Sequence, residues 1–208
     1  MNNYSFLEYE SIGFDVDGTL YDEYSFVSQS YLPIASFLSG IFKINKDSLY
    51  KELLLTWKQN GSSFPVIQET LKSIYKINLD SETLKKCIDI YRQSIFTIHP
   101  FSKIESLLNY LTKNKKRLFV VTDGNKELQL KKIHSLELER WFKNNDIFIS
   151  GNFGKEYQKP SELIVQVVKN HLNNNKKVLF VGDRTVDQQF AINAGFDFLD
   201  IKVFLKDD

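Results

Sequence analysis

About 100 residues separate two short apolar runs, residues 12–16 and 118–121, and no convincing strand lies between them. Each run has the length and continuous apolar character of a strand buried on both faces. Parallel neighbours need a crossover of only a dozen or so residues. So long an interval therefore demands a separate body inserted after the first strand. Residues from about Tyr24 to Ile98 carry helical spacing, and helices are expected over 25–42, 46–59, 64–75 and 81–96, broken at Gly40, Gly61 and Asn78. Leu84, Ile88, Tyr91 and Ile95 keep the i, i+4, i+7, i+11 spacing of a buried stripe.

Beyond residue 98 apolar runs alternate with helix-length amphipathic segments. Strands are expected at 118–121, 147–149, 178–181 and 196–203, with helices over 101–113, 126–138, 161–172 and from about Val186. Alternation of this kind specifies an α/β protein with a central parallel sheet flanked by helices. The expected organisation is a core of residues 1–22 and 99–208 carrying a small helical domain of residues 23–98.

Composition narrows the function classes. A net charge of +1 provides no global field for nucleic acid or an anionic membrane. The basic run at 113–117 reads as a solvated helix-to-strand connection. Cys87 is the single cysteine, so neither an intramolecular disulfide nor a cysteine metal cage can form. The first ten residues are polar and acidic, unlike a secretory leader, and no apolar stretch approaches the roughly 20 residues that cross a bilayer. A reducing cytoplasm and a monomer or homodimer are expected. His99, His134 and His171 stand singly, without ligand spacing.

Three expected strands are followed directly by polar residues. Asp15 and Asp17 end the first, Thr122 and Asp123 follow the second, and Asp183 follows the fourth. Ligands of open α/β sheets bind outside the carboxyl ends of the strands, so these positions converge on one edge. Two carboxylates two residues apart, followed by Gly18 and Thr19, can be aimed at one locus. One can attack phosphorus, while the other protonates the leaving oxygen and then activates water. The same pattern could be a surface turn or a fragment of a calcium loop, but the following Thr19-Leu20-Tyr21 lacks the further ligands such a loop requires. Thr122, with the amides of Asp123 and Gly124, could hold phosphate oxygens at a helix start, or could simply cap that helix.

Asp183 and Asp187, four apart, add carboxylates suited to Mg²⁺, a hard cation that takes oxygen ligands. So many acids in one pocket would repel each other unless cations intervene, and Lys159, before Pro160 at a helix start, could supply one.

Taken in order, these segments resemble the haloacid dehalogenase superfamily over roughly residues 11–198. The family pattern Asp-x-Asp-Gly-Thr-Leu matches Asp15 to Leu20, and implies Asp15 as nucleophile and Asp17 as acid/base. Its Thr or Ser after the second strand matches Thr122, its Lys-Pro matches Lys159-Pro160, and its Gly-Asp-x-x-x-Asp matches Gly182 to Asp187. The resemblance implies a Rossmann-like core with a subfamily I helical cap and a catalytic set of Asp15, Asp17, Thr122 and Lys159. It also implies phosphate contacts at Gly18, Asp123 and Gly124. An Mg²⁺ site of Asp15, Asp17, Asp183 and Asp187 follows, with Asp183 as the direct ligand and Asp187 in support.

Thr122 to Lys126 with Gln129 and Lys131-Lys132-Ile133 is similar to pyrimidine 5′-nucleotidase-type and sialic-acid-phosphate phosphatases. Asp123 stands where that group often has Asn, and Ser161-Glu162 interrupts a frequent Lys-Pro-x-Pro. The implied activity is hydrolysis of a small phosphorylated metabolite, a nucleotide or sugar phosphate, through an aspartyl-phosphate. A phosphosugar mutase shares both acids and is the alternative. A dehalogenase would lack Asp17, phosphonate cleavage would use a Schiff-base lysine in the cap, and a binding module with a dead site would lack Asp15 or Asp183.

Overall fold

A computed structural model describes residues 5–172 and 177–206. Its sheet has five parallel strands in the order β3-β2-β1-β4-β5: β1 (Ser11–Phe14), β2 (Arg117–Thr122), β3 (Ile147–Ile149), β4 (Val178–Gly182) and β5 (Asp197–Asp200). Central strands of a parallel sheet are covered on both faces and tolerate no polar alternation. Accordingly every residue of β1 and β4 is buried, whereas β5, at an edge, begins and ends on an Asp. The α/β class and parallel sheet expected from the alternating runs are both present.

The register explains a glycine. Gly13 of β1 lies opposite Phe119 of β2 and Phe180 of β4. A Cβ at Gly13 would fall 2.3 Å from the Phe119 ring and 2.8 Å from that of Phe180. The missing side chain lets these rings approach over β1, with centroids 6.3 Å apart. They form one core with Val121 and Phe148 under α7 (Glu162–Leu172) and α8 (Thr185–Ala194), through Ile164, Val168, Phe190 and Ala191. On the helix before β2, α5 (Ser102–Lys113), Ile104, Leu107, Leu108 and Leu111 are the buried stripe.

Several boundaries differ from the sequence expectation, three of them in the sheet-bearing unit for a clear local reason. The expected helix 126–138 stops as α6 (Lys126–Ser135), because Glu137 adopts a left-handed conformation (φ 52°) before a 3-10 turn at Leu138–Arg140. The last strand does not run to residue 203. Asp200 accepts a hydrogen bond from the Lys202 amide (2.8 Å) and so caps α9 (Ile201–Leu205). Pro160, joined to Lys159 by a cis bond, lies in the loop before α7 and not in its first turn.

Residues Tyr24–Thr97 form a second compact unit, distinct from the one made by Met1–Glu23 and Ile98–Asp208. Its helices are α1 (Glu23–Phe42), α2 (Lys46–Asn60), α3 (Val66–Tyr75) and α4 (Ser81–Gln93). The first runs unbroken through Gly40, contrary to expectation. Asn45 and Asp80 cap α2 and α4 by accepting from Ser48 and Thr83 amides. The stripe expected on α4 is not buried. Ile95 lies beyond the helix end and is 96% exposed, Ile88 is exposed, and Cys87 alone on α4 is buried. Leu84, Ile88 and Tyr91 instead line an open cavity of about 290 Å³ with Tyr31, Phe64 and Val66.

Candidate active site

Because all strands point one way, the residues after β1, β2 and β4 emerge at a single end of the sheet. Asp15 follows β1, Thr122 ends β2, and Asp183 follows β4. Oxygens of Asp15, Asp183 and Asp187 come within 4.8 Å of one another. Lys159, in the loop before α7, lies among them and is 5% exposed. Its Nζ sits 2.6 Å from Asp15 Oδ1 and 2.6 Å from Asp187 Oδ1. The other oxygen of Asp187 accepts the Asp183 and Arg184 backbone amides, at 3.3 and 3.1 Å. Both of its oxygens are thus spent on shaping the β4–α8 turn and on Lys159.

Glycines permit this crowding. Gly18 has φ +77°, and a Cβ there would lie 2.8 Å from Asp183 Oδ2. At Gly182 the added Cβ would collide with Asp187 Cβ at 2.4 Å.

Asp15 and Asp17 are two residues apart but differ in surroundings. Burial pushes Asp15 up to about 7, with Lys159 opposing and Asp187 adding to the rise. Burial acts on Asp17 too, but there the charge of Lys132 and hydrogen bonds from Lys132, Tyr21 and Gln129 prevail and hold it below the usual carboxylate range. Asp17 Oδ1 accepts from Lys132 Nζ at 2.6 Å and from the Tyr21 hydroxyl, and Oδ2 accepts from Gln129 Nε2 at 2.9 Å. For Lys159, burial works against the ammonium, yet Asp15 and Asp187 outweigh it and hold the group above the ordinary lysine value. Asp183 is raised, chiefly by burial.

The remaining expected residues divide. Thr122 is buried at the site, and its hydroxyl has no hydrogen-bond partner among the described residues. Asp123 acts as a bracket. Its carboxylate accepts the Lys159 amide (3.1 Å) and its carbonyl accepts Gln129 Nε2 (2.8 Å). The Gly124 amide already donates to Ser150 Oγ at 3.2 Å.

Sequence reasoning did not single out Tyr21, Ser150 or Arg184. Gln129 and Lys132 entered only through the resemblance, although their i, i+3 spacing behind the Asn125 cap would have put both on one face of α6. Arg184 Nε lies 3.9 and 4.0 Å from Asp183 and Asp187, adding positive charge where four acids gather.

The residues fit a hard divalent cation. Asp15 Oδ2 and Asp183 Oδ1 are buried and accept no hydrogen bond among the described residues, a costly state that an oxygen-seeking cation would relieve. Asp15 and Asp183 would hold it, with Asp187 behind them. The side chain of Asp17 has both oxygens committed elsewhere.

Over residues 12–201 the sequence matches the haloacid dehalogenase-like hydrolases, and the chain belongs to that family. It is similar to a candidate phosphatase from Clostridium difficile, with 25% identity and TM-score 0.68 over 93% of this chain and 85% of that one. A candidate beta-phosphoglucomutase from Thermotoga maritima shares the fold at 20% identity and TM-score 0.64, over 92% of this chain and 84% of that one. So does the magnesium-bound HAD hydrolase YfnB from Bacillus subtilis, at 20% identity and TM-score 0.59, over 92% and 87%. None of the curated proteins compared matches the chain. No helix among the described residues is long and apolar enough to cross a membrane.

Proposed function

We propose that this hydrolase is an Mg²⁺-dependent phosphatase that cleaves a small phosphorylated metabolite, a nucleotide or a sugar phosphate, by way of an aspartyl-phosphate on Asp15. The observation that carries the reading is the division within the first pair of acids. Asp15 keeps one buried oxygen unpartnered, while Asp17, two residues on, has both oxygens held by donors.

In the first step a carboxylate oxygen of Asp15 bonds to phosphorus as the bond from phosphorus to the leaving oxygen breaks, and Asp17 gives that leaving oxygen a proton. The arriving phosphate dianion brings Asp17 the like charge that offsets Lys132 and favours its protonated form. In the second step Asp17 takes a proton from water, whose oxygen attacks phosphorus and displaces the Asp15 carboxylate, releasing inorganic phosphate. Thr122 donates its hydroxyl proton to a phosphoryl oxygen. Lys159 stays protonated throughout, opposing the negative charge of Asp15 and Asp187. When bound, Mg²⁺ supplies charge neutralisation for the phosphoryl group and keeps Asp15 in its carboxylate form. Asp17 is also what separates this reading from dehalogenation, where no leaving oxygen needs a proton.

Asp15→Asn tests the assignment. Phosphate release from a panel of nucleoside monophosphates and sugar phosphates, measured with Mg²⁺ and with EDTA, is expected to fall at least about 10³-fold in the variant, with an unchanged circular-dichroism spectrum. Retention of more than about a tenth of wild-type Mg²⁺-dependent turnover would remove Asp15 as the nucleophile. Isomerised sugar phosphate without free phosphate would replace the phosphatase by a mutase.

A further inference from the structure

Two buried polar side chains of α6 take no part in the bond changes above, yet both are directed at Asp17. Gln129 and Lys132 are each 3% exposed, on a helix whose other buried residues are Leu128 and Ile133. The face that would be expected to be apolar throughout is half polar. Burying an ammonium group is costly unless it is well paired, and Met at position 132 would fill the space without that cost. Lys132 Nζ meets Asp17 Oδ1 at 2.6 Å and Gln129 Nε2 meets Oδ2 at 2.9 Å, so one helix provides a separate donor to each oxygen.

The Gln129 amide does more. Its nitrogen also donates to the Asp123 carbonyl (2.8 Å), Asp123 Oδ1 accepts the Lys159 N–H (3.1 Å), and Lys159 Nζ holds Asp15 (2.6 Å). A continuous line of hydrogen bonds and backbone therefore joins Asp17 to Asp15. The terminal torsion of an Asp side chain is broad, and an unrestrained carboxyl group presents its oxygens in no fixed direction. Efficient chemistry needs reacting groups held within about 0.5 Å of the productive arrangement.

We propose that Gln129 and Lys132 are positioning residues that fix the plane of the Asp17 carboxyl group relative to Asp15, so that one oxygen faces the leaving oxygen and then the attacking water. The proposal rests on the phosphatase reading. Its distinctive consequence is selective. An acid out of position harms substrates whose leaving group needs a proton and spares those whose leaving group does not.

The test is single-turnover formation of the phosphoenzyme, with excess enzyme and saturating Mg²⁺, on phosphates of graded leaving-group basicity. Lys132→Met is expected to slow the reaction of alkyl phosphates by about 10–100-fold, the usual cost of losing a residue that orients a functional group. With p-nitrophenyl phosphate, whose leaving group departs without a proton, the loss is expected to stay under about 3-fold. Lys132→Arg, which keeps a cationic donor, should recover most of the alkyl-phosphate rate. Gln129→Leu should show the same graded pattern more weakly, and carries the test should Lys132→Met fail to fold. Losses equal across all leaving groups, or no loss in either variant, would overturn the proposal while leaving the phosphatase intact. A wild-type protein that releases no phosphate from any substrate would overturn the phosphatase reading itself.

Discussion

The two ends of the sheet both gather charge, yet they use it differently. At the amino end, Lys115, Lys116, Arg117, Trp141, Lys143 and His171 line a cavity of about 650 Å³ around Asp146. Asp146 Oδ1 accepts from Arg117 Nε at 3.1 Å and Nη2 at 2.6 Å and lies 3.0 Å from His171 Nε2. Lys116 donates to the Leu7 carbonyl at 2.7 Å. Arg117, Asp146 and His171 contribute no buried unpartnered atom. At the carboxyl end, by contrast, Asp15 Oδ2, Thr122 Oγ1 and Asp183 Oδ1 are buried and make no hydrogen bond among the described residues. Natural proteins leave few such atoms unsatisfied. Charge density therefore does not separate the two ends; the buried acid and hydroxyl oxygens that make no hydrogen bond do, although a lone oxygen of that kind, Ser30 Oγ, occurs in the helical unit as well.

If that distinction is right, substitutions at the carboxyl end should act on activity and those at the amino end on stability. After Asp15→Asn, the largest effect is expected for Asp183→Asn. Turnover should fall by more than about 10²-fold, beyond what residues that merely orient ligands cost, and the Mg²⁺ concentration giving half-maximal rate should rise. An Mg²⁺ titration of the rate that leaves both quantities unchanged would break the comparison at its centre. Next comes Thr122→Val, nearly isosteric and without the hydroxyl. Activity should drop by about 10²-fold, the lower end of what a lost transition-state donor costs, while the melting temperature holds or rises, because an unsatisfied buried hydroxyl has gone. A variant that loses stability along with activity would show that the hydroxyl is structural. The smallest effect on catalysis is expected for Asp146→Ala. It removes the shared acceptor of Arg117 and His171, which are both partly exposed, while Arg117 Nη1 keeps its hydrogen bond to the Leu172 carbonyl (3.4 Å). The fold should be destabilised by about 1 kcal/mol, or about 2–4 °C at this size, with turnover of the folded protein within about 2-fold of wild type. Thermal unfolding and initial rates on the same preparation measure both.

How much of this could be read beforehand depended on the kind of feature. Strands β1, β2 and β4 were legible, since a strand covered on both faces must be apolar along its length. The ends of α6 and β5 were not. Glu137 in a left-handed conformation and Asp200 as a cap are single-residue events, and no periodicity announces them. The stripe on α4 failed because helical spacing specifies a face without specifying what covers it. Leu84, Ile88 and Tyr91 share one side and border an open cavity. The basic run at 113–117 read as a connection between a helix and a strand, and Lys115 and Lys116 do lie between α5 and β2. Its inclusion with Lys143 and His171 in one cavity needed β3 and α7 to be in place.

The sequence by itself determined the parallel α/β sheet and the interruption after the first strand. It also determined that Asp15, Thr122 and Asp183 stand at strand ends, because these follow from period, spacing and the common direction of parallel strands. Only the tertiary structure decided what each acid is surrounded by. Asp17 meets Gln129 and Lys132, 112 and 115 residues away in the chain, and Asp15 meets Lys159, 144 residues away. Burial and hydrogen-bond partners, which set the proton affinity and the free oxygens of a carboxylate, come from packing between distant segments, and nothing in the local sequence Asp15-Val16-Asp17 distinguishes the two.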